Sequence, residues 1–147
     1  MIRESVLREL KEKGLKVTPQ RLAIIEVLAA MRDLHPSAGA VYREAKKMRK
    51  GLSLSTTYAT LNQLSAHGII KTLEFDTAEN RYEVNIEQHV NLICNGCGKI
   101  VDYGISIPAD TGEVEKRTGF SVTDTRLEYY GYCEKCRKKG TGKGDRP

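Results

Sequence analysis

The sequence predicts an α+β protein built from two unlike parts. The first part carries three or four short helical segments followed by two alternating strands, and the second part mixes strands with one helix. All four cysteines lie in the second part, where they form two C-x-x-C pairs. The short helices, the strand pair and the paired cysteines are the observations that predict this class.

Capping and turn residues mark the first two helices. Residues 2–13 place apolar side chains at helical spacing. Thr18 followed by Pro19 predicts the start of a second helix, because threonine can cap free amides and proline tolerates the first helical position. The run His35-Pro-Ser37 is expected to break that helix.

A third and a fourth helix follow. The third is predicted over residues 38–48. The fourth follows a cap at Ser53 or Ser55 and runs to about residue 66, before a glycine that stops it. Its leucines are expected to face the core: Leu54, Leu61 and Leu64.

A hairpin is predicted after the helices. Residues 69–75 and 81–86 alternate apolar and polar side chains around a polar turn at residues 76–80. Short helices followed by a hairpin are the order of a winged helix-turn-helix domain. We therefore expect such a domain over residues 1–85.

The fourth helix would be the recognition helix of that domain. Its polar side chains include no carboxylate and are expected to be exposed: Ser55, Thr56, Thr57, Tyr58, Thr60, Asn62 and Gln63. Such donors and acceptors can approach base edges and phosphates, whereas acidic groups would be repelled by the phosphate field. A polar helix that only faces solvent is the alternative.

Length and charge limit the classes of function. The 147 residues suit one domain or two small ones. The chain lacks the roughly 18 consecutive apolar residues of a membrane span and the apolar core of a signal peptide, so a cytoplasmic protein is expected. The net charge of +5 favours an acidic partner such as nucleic acid. Much of that excess comes from the basic end of the chain, where residues 140–147 are expected to be a disordered tail.

The two C-x-x-C pairs predict a structural metal site. Each pair lets two thiolates approach one ion from the same side of a tight turn, and two pairs together make a closed tetrahedral zinc site. The predicted ligands are Cys94, Cys97, Cys133 and Cys136. Four protein ligands leave no open position for a substrate, so this zinc would hold structure and the function must lie elsewhere.

The second part is predicted to be a small α/β domain over residues 86–139. Strands are expected before the first cysteine pair and near residues 100–103, with a helix over about 108–117 and a strand-like run over 120–132. Such a unit has too small a core to be stable alone, and pairing with an identical copy is the simplest remedy. A homodimer also suits a helix-turn-helix protein that binds two half-sites.

Two rival functions come from other classes. A thiol oxidoreductase would place a C-x-x-C motif at a helix start, and neither pair is expected to precede a convincing helix. A zinc-stapled winged helix could bind protein instead of DNA. No hydrolase triad, phosphate loop or nucleotide fingerprint occurs, so neither an enzyme nor a small-molecule substrate is expected.

Seven motifs together resemble the ferric uptake regulator family over about residues 3–138. They are Val17-Thr-Pro-Gln-Arg21, Leu34-His-Pro-Ser37, Ser55-Thr-Thr-Tyr58, Arg81-Tyr-Glu83, Gln88-His89, the run from Cys94 to Asp102, and Tyr130-Gly-Tyr-Cys133-Glu-Lys-Cys136. The resemblance implies a homodimeric, metal-dependent transcriptional repressor that binds a palindromic operator in double-stranded DNA. It also implies that the dimerisation domain carries the four-cysteine zinc.

The resemblance extends to residues that contact DNA and a second metal. Arg21 and Tyr58 stand in motifs that contact DNA in the family, and the same surface would include Ser55, Thr56 and Asn62. The regulatory ligands would be His35, Glu83, His89, Asn91 and Asp102. Imidazole and carboxylate donors suit Fe²⁺, Mn²⁺ or Zn²⁺, of which Fe²⁺ or Mn²⁺ is expected here. The alternative for the first of these ligands is a surface histidine that ends a helix.

Two departures from the family pattern affect the metal sites. Asn91 stands where most relatives carry a second histidine, and its neutral carbonyl binds a metal more weakly than imidazole does. The histidine that many iron-sensing members use for an additional site is replaced by Thr125 or Asp124. No third metal is therefore expected.

The carboxylate ligands separate two branches of the family. Asp102 occupies the place where peroxide-sensing members carry aspartate and iron-uptake members usually carry glutamate. The shorter carboxylate would leave bound Fe²⁺ more open to peroxide. Their reaction would generate an oxidant that attacks a ligand histidine, and the protein would then release its operator. Glu83, by contrast, is typical of iron-uptake members. Peroxide sensing is the first expectation. The alternatives are regulation of iron uptake or of another metal, and a chain that uses no regulatory metal.

Overall fold

The computed structural model describes residues 2–75, 78–84, 89–104 and 111–140. The chain divides into two compact units, Met1–Ile86 and Glu87–Pro147. The residues expected to form a basic tail lie outside the described part, except for Gly140. No helix in the described ranges is both long and apolar enough to cross a membrane.

In its described residues, the first unit consists of four α-helices, a short 3₁₀ helix and a two-stranded hairpin. The elements are α1 (Ile2–Glu12), α2 (Pro19–Ala30), the 3₁₀ helix (Arg32–Leu34), α3 (Ala38–Met48), α4 (Leu54–Ala66), β1 (Lys71–Leu73) and β2 (Arg81–Glu83). This order confirms the predicted helices followed by a hairpin. The paired strands are shorter than predicted, and residues 76–77 and 85–86 lie outside the described part.

Serine and threonine caps set where these helices begin. The Thr18 hydroxyl accepts a hydrogen bond from the Arg21 amide at 3.2 Å, as predicted for α2. Ser53, not Ser55, caps α4, because its hydroxyl accepts from an amide of the first turn at 3.1 Å. Ser37 caps α3, whereas the sequence predicts only a helix break at this residue.

The four helices and the hairpin enclose one apolar core. Its fully buried members include Leu10 of α1, Ile24 of α2, Val41 of α3 and Leu61 of α4, and Tyr82 enters the core from β2. The hairpin is antiparallel, and Tyr82 pairs with a β1 residue in the middle of its register. The hairpin, which corresponds to the wing of the predicted domain, is therefore packed on the helical core.

The burial pattern of α4 differs from the prediction at three positions. Leu54 is 44% exposed, whereas Thr57 and Thr60 are buried. Residues 57, 60, 61 and 64 form the buried stripe at helical spacing, and residue 54 lies a turn before it. Burial of Thr57 is tolerated because its hydroxyl donates to the Ser53 carbonyl at 3.0 Å.

The described part of the second unit consists of a three-stranded sheet and two helices. The elements are β3 (Val90–Cys94), β4 (Ile100–Tyr103), α5 (Thr111–Thr118), β5 (Glu128–Gly131) and α6 (Glu134–Lys138). The strand order is β4-β3-β5, with β3 antiparallel to β4 and parallel to β5. A parallel neighbour requires a crossover, and α5 lies in that connection.

Two predicted elements of this unit require correction. The strand-like run over residues 120–132 is a strand only at Glu128–Gly131. Two amides before it donate to side chains instead of to a neighbouring strand: Val122 donates to Glu115 at 3.0 Å and Thr125 donates to Asp124 at 2.8 Å. The predicted helix is present at Thr111–Thr118, and residues 108–110 lie outside the described part.

Candidate metal centres and nucleic-acid interface

The four cysteines converge into one cluster of sulfur atoms. Their Sγ atoms all lie within 4.8 Å of one another, and those of Cys97 and Cys133 are 3.9 Å apart. A tetrahedral zinc with Zn–S bonds of about 2.3 Å separates its sulfur ligands by ~3.8 Å. All four cysteines are free thiols. The donor set and its dimensions therefore fit the predicted zinc.

Backbone hydrogen bonds of the sheet place the two cysteine pairs side by side. Cys94 ends β3 opposite Gly131 of β5, and the Asn95 amide donates to the Gly131 carbonyl at 2.7 Å. Gly98 turns the chain after the first pair with a φ of 77°, a conformation that favours glycine. The Cys133 amide then donates to the Cys94 sulfur at 3.2 Å.

Amide donors favour two of the thiolates, and burial opposes a third. The Cys133 amide, followed by the Cys97 amide, lowers the pKa of Cys94 to about 6. The Cys136 amide lowers the pKa of Cys133. Burial and then the neighbouring sulfur atoms raise the pKa of Cys136 to about 12. Thiolate formation at all four positions therefore needs a bound cation, which zinc would supply.

The second cysteine pair lies at the start of a helix, contrary to the prediction. Cys133 is the N-cap of α6, and Cys136 lies within that helix. Helix-start amides favour a thiolate, a feature that redox C-x-x-C motifs share. The convergence of all four sulfur atoms still distinguishes this cluster from a two-cysteine redox site.

An imidazole and a carboxylate are buried together in the first unit. The Nε2 atom of His35 lies 3.6 Å from the Oε2 atom of Glu83, and each side chain is 1% exposed. His35 follows the 3₁₀ helix in the left-handed region, with a φ of 48°. The alternative of a surface histidine is therefore wrong.

A second imidazole–carboxylate pair lies in the second unit. The Nε2 atom of His89 lies 3.6 Å from the Oδ1 atom of Asp102. Asn91 is buried in the central strand and pairs directly with Asp102 in the antiparallel register. Directly paired residues present their side chains on the same face of the sheet. The second unit thus brings three of the predicted ligands to one sheet face.

The donor chemistry of these five residues suits a divalent transition metal. Imidazole nitrogen with carboxylate and amide oxygen matches Fe²⁺, Mn²⁺ or Zn²⁺. Buried ionisable groups are costly unless they are paired or bind a metal. The predicted ligands that lie in the same unit are therefore brought together, and the residues present fit the implied ion.

The predicted DNA-contacting residues of α4 lie mainly on one exposed face. Ser55, Tyr58 and Asn62 are exposed at helical spacing, and Thr56 is half-buried between them and the core. The helix carries no acidic residue. This face can therefore approach a polyanion without charge repulsion.

Arg21 connects α2 with α4, a contact that no pattern in the sequence predicts. Its guanidinium donates to the Lys16 carbonyl at 2.7 Å and to the Gln63 side-chain carbonyl. Gln63 lies far along the chain from Arg21, so no local pattern could have revealed this pair. Arg21 thus lies beside α4 and also helps to hold it.

Comparisons with known proteins agree with this architecture. Residues 12–130 match the model of the ferric uptake regulator family. The chain is 36% identical over 140 residues to the peroxide operon regulator of Bacillus subtilis, covering 92% of this chain and 94% of that protein.

Two solved structures are also similar. The Campylobacter jejuni peroxide stress regulator is 31% identical, with a TM-score of 0.66 and coverage of 88% of this chain and 98% of that one. The Helicobacter pylori ferric uptake regulator, whose structure is described as having three functional metal binding sites, is 28% identical, with a TM-score of 0.68 and coverage of 92% and 93%. With a family match over most of its length, two imidazole–carboxylate pairs and a cluster of four cysteines, this chain belongs to the ferric uptake regulator family.

Proposed function

We propose that this chain is a metal-dependent transcriptional repressor that releases its operator in response to peroxide. The observation that carries the proposal is the pair of imidazole–carboxylate contacts, the buried contact of His35 with Glu83 and the partly buried contact of His89 with Asp102. Buried groups of this kind gain from a bound cation. The names of similar proteins, a peroxide operon regulator and a peroxide stress regulator, support the peroxide response.

The structural metal in this proposal is one zinc per chain. Its ligands are Cys94, Cys97, Cys133 and Cys136, supported by the convergence of their sulfur atoms and the lowered pKa values of two thiols. The zinc would join the end of β3 to the start of α6. It would therefore stabilise a unit whose described helix α5 buries no residue.

The regulatory ion in this proposal is Fe²⁺ or Mn²⁺, held by His35, Glu83, His89, Asn91 and Asp102. The five residues come from both units of the chain, so their shared use of one ion would favour one shape of the protein. An ion shifts the equilibrium between shapes only by its difference in affinity for them. Asn91 offers an amide oxygen where imidazole would bind more strongly. This reduces the difference in the ion's affinity for the two shapes.

Release by peroxide depends on the ligand imidazoles. Bound Fe²⁺ would supply the electrons that reduce peroxide beside these rings, which is how an oxidant would arise there. An oxidised ring is a poorer donor to the metal. The carboxylates alone would then hold the ion less tightly. Both histidines are almost fully buried, so their rings would lie beside the ion that generates the oxidant and away from bulk solvent.

The DNA-binding surface in this proposal is the exposed face of α4 together with Arg21. Ser55, Thr56, Tyr58 and Asn62 would contact base edges or phosphates in a major groove. Two copies of the chain are needed to place two such helices on the half-sites of a palindrome, so the protein would act as a homodimer. Sedimentation of the zinc-loaded protein would give the mass of a dimer, whereas a monomer that binds DNA tightly would contradict this arrangement.

The proposal is tested by binding to DNA that the protein itself selects. Duplexes are enriched from a random pool with Mn²⁺-loaded protein, and the best palindrome is then titrated by fluorescence anisotropy. Metal-dependent affinity is the expected result. Failure to enrich any sequence would favour the protein-binding alternative, and thiol turnover without stable zinc would favour an oxidoreductase.

A second candidate function within the family is the regulation of iron uptake. The observation that favours it is Glu83, the longer carboxylate that is typical of iron-uptake members. Peroxide separates the two functions. Binding with Fe²⁺ that survives peroxide would identify an iron-uptake regulator, and binding that peroxide abolishes only with Fe²⁺ would identify a peroxide sensor.

A further inference from the structure

Three consecutive side chains of strand β2 contact different partners. Tyr82 enters the apolar core of the first unit and is 2% exposed. Arg81 and Glu83 point to the opposite side, because successive side chains of a strand alternate between its faces. The segment from Leu34 to Ser37, which carries His35, runs along the edge of β2, where Ser37 and Arg81 form an antiparallel bridge.

Arg81 holds the backbone of this segment with its guanidinium. Its Nη2 atom donates to the Leu34 carbonyl at 3.0 Å, and its Nε atom donates to the His35 carbonyl. The backbone adds to this contact, since the Tyr82 amide donates to the Pro36 carbonyl at 2.9 Å. One guanidinium thus binds two consecutive carbonyls, which its rigid fork of donors suits and a lysine ammonium does not.

The segment needs such a partner because of the conformation of His35. Among the described residues, His35 is the single non-glycine residue with a positive φ, at 48°. Left-handed backbone is disfavoured for residues with a Cβ atom and persists where the surroundings fix it. This conformation turns the imidazole toward Glu83, to a distance of 3.6 Å.

The hairpin that carries Arg81 is also anchored to α4. The Thr72 hydroxyl of β1 donates to the Ser65 hydroxyl near the end of α4 at 2.8 Å. Thr72 pairs with Tyr82 across the hairpin. The strand that presents Glu83 is therefore connected on one side to His35 and on the other to α4.

We propose that Arg81 is a positioning residue of the regulatory metal site: by binding the carbonyls of Leu34 and His35, it holds His35 in the left-handed conformation that aligns its imidazole with Glu83. This inference rests on the proposed function, because it takes both of these residues as regulatory ligands. Arg81 itself donates no atom to the ion. Its loss weakens metal binding without removing a ligand.

The test compares Arg81→Gln with the matched control Arg8→Gln, an exposed arginine of α1 in the same unit. Mn²⁺ affinity of the zinc-loaded protein is measured by isothermal titration calorimetry. Arg81→Gln is expected to weaken binding by about 10–100-fold, the range for residues that orient metal ligands. Arg8→Gln is expected to leave the affinity unchanged, and both variants are expected to retain zinc.

Three further variants separate positioning from general destabilisation. Arg81→Lys keeps the charge but loses the forked donors of the guanidinium, so an intermediate loss of Mn²⁺ affinity is expected. This variant provides the test if Arg81→Gln does not fold. Arg81→Gln combined with His35→Ala is expected to bind Mn²⁺ as weakly as His35→Ala alone. Additive losses in that double variant would overturn the proposal.

The outcomes also distinguish the inference from the proposed function. If His35→Ala abolishes Mn²⁺ binding while Arg81→Gln and Arg81→Lys leave it intact, the positioning role is wrong and the ligand assignment survives. If His35→Ala and Glu83→Ala both leave Mn²⁺ binding unchanged, the regulatory ligand assignment itself is wrong and the inference is overturned with it.

Discussion

The imidazole of His35 and the carboxylate of Glu83 lie 3.6 Å apart, and both side chains are 1% exposed. A buried pair of this kind is costly in a metal-free protein and becomes favourable when a divalent cation is shared between its members. His89 and Asp102 form a second contact at the same distance in the second unit, where the Asp102 side chain is 27% exposed.

Replacement of Cys133 by serine is expected to remove the zinc and unfold the second unit. Structural zinc contributes about 10 kcal/mol or more of apparent binding free energy, which a small unit cannot lose and stay folded. Zinc content by mass spectrometry and far-UV circular dichroism measure the two effects. Ser121→Ala, an exposed change in the same unit, is the control. A folded Cys133→Ser protein with full zinc would show that the assignment is wrong.

Replacement of Asn91 by histidine is expected to tighten the regulatory site. Imidazole is a stronger donor than an amide oxygen for Fe²⁺ or Mn²⁺, and a gain of ~1.4 kcal/mol would already tighten binding about tenfold. Mn²⁺ titration measures the affinity, and operator binding measures the response. Asn80→His adds an exposed imidazole elsewhere and is expected to have no effect. Unchanged affinity in Asn91→His would exclude this position from the ligand set.

Arg21→Ala is expected to weaken binding to all DNA sequences by a similar factor. If the guanidinium contacts one phosphate, the slope of log affinity against log salt should fall by about 0.9. Arg21 also binds Gln63, so a second comparison is needed. Gln63→Ala is expected to lower affinity with the slope of the wild type. If the salt slope is unchanged in Arg21→Ala, Arg21 only holds α4 in place and contacts no phosphate.

Burial of Tyr82 predicts a loss of stability at alkaline pH. Burial first, with smaller effects from Tyr58 and Glu74, raises the pKa of Tyr82 above its ordinary value of about 10. Its contribution is therefore fully present below pH ~10 and is lost as the pH rises toward the folded pKa. Tyr82→Phe should flatten the decline in unfolding free energy as the pH rises above ~10. Tyr103→Phe, an exposed change, should not, and equal effects of the two variants would contradict this account.

Local signals explain which parts of the fold could be predicted. Thr18 with Pro19, and Ser53 before α4, act through contacts within one helical turn, so the starts of α2 and α4 were predictable up to the choice between Ser53 and Ser55. The cysteine spacing likewise predicted the sulfur cluster. These features depend on neighbours in sequence.

The errors arose where distant or unusual contacts decide the structure. Thr57 was expected to be exposed because it is polar, yet its hydroxyl is satisfied by the backbone one turn earlier and the side chain is buried. Residues 120–127 alternate like a strand, but side chains take up two of their amides. The contact of Arg81 with His35 joins distant segments through one guanidinium, and no pattern in the sequence indicates it.

The most direct test of the central claim is the affinity of the purified protein for its selected operator under four conditions: metal-free, with Mn²⁺, with Fe²⁺, and with Fe²⁺ after peroxide. The account predicts that either metal tightens binding, within the roughly 5–150-fold range of typical coupling. It also predicts that peroxide abolishes the gain with Fe²⁺ and not with Mn²⁺, with oxidation mapped to His35 or His89. Equal operator affinity in all four conditions would contradict it.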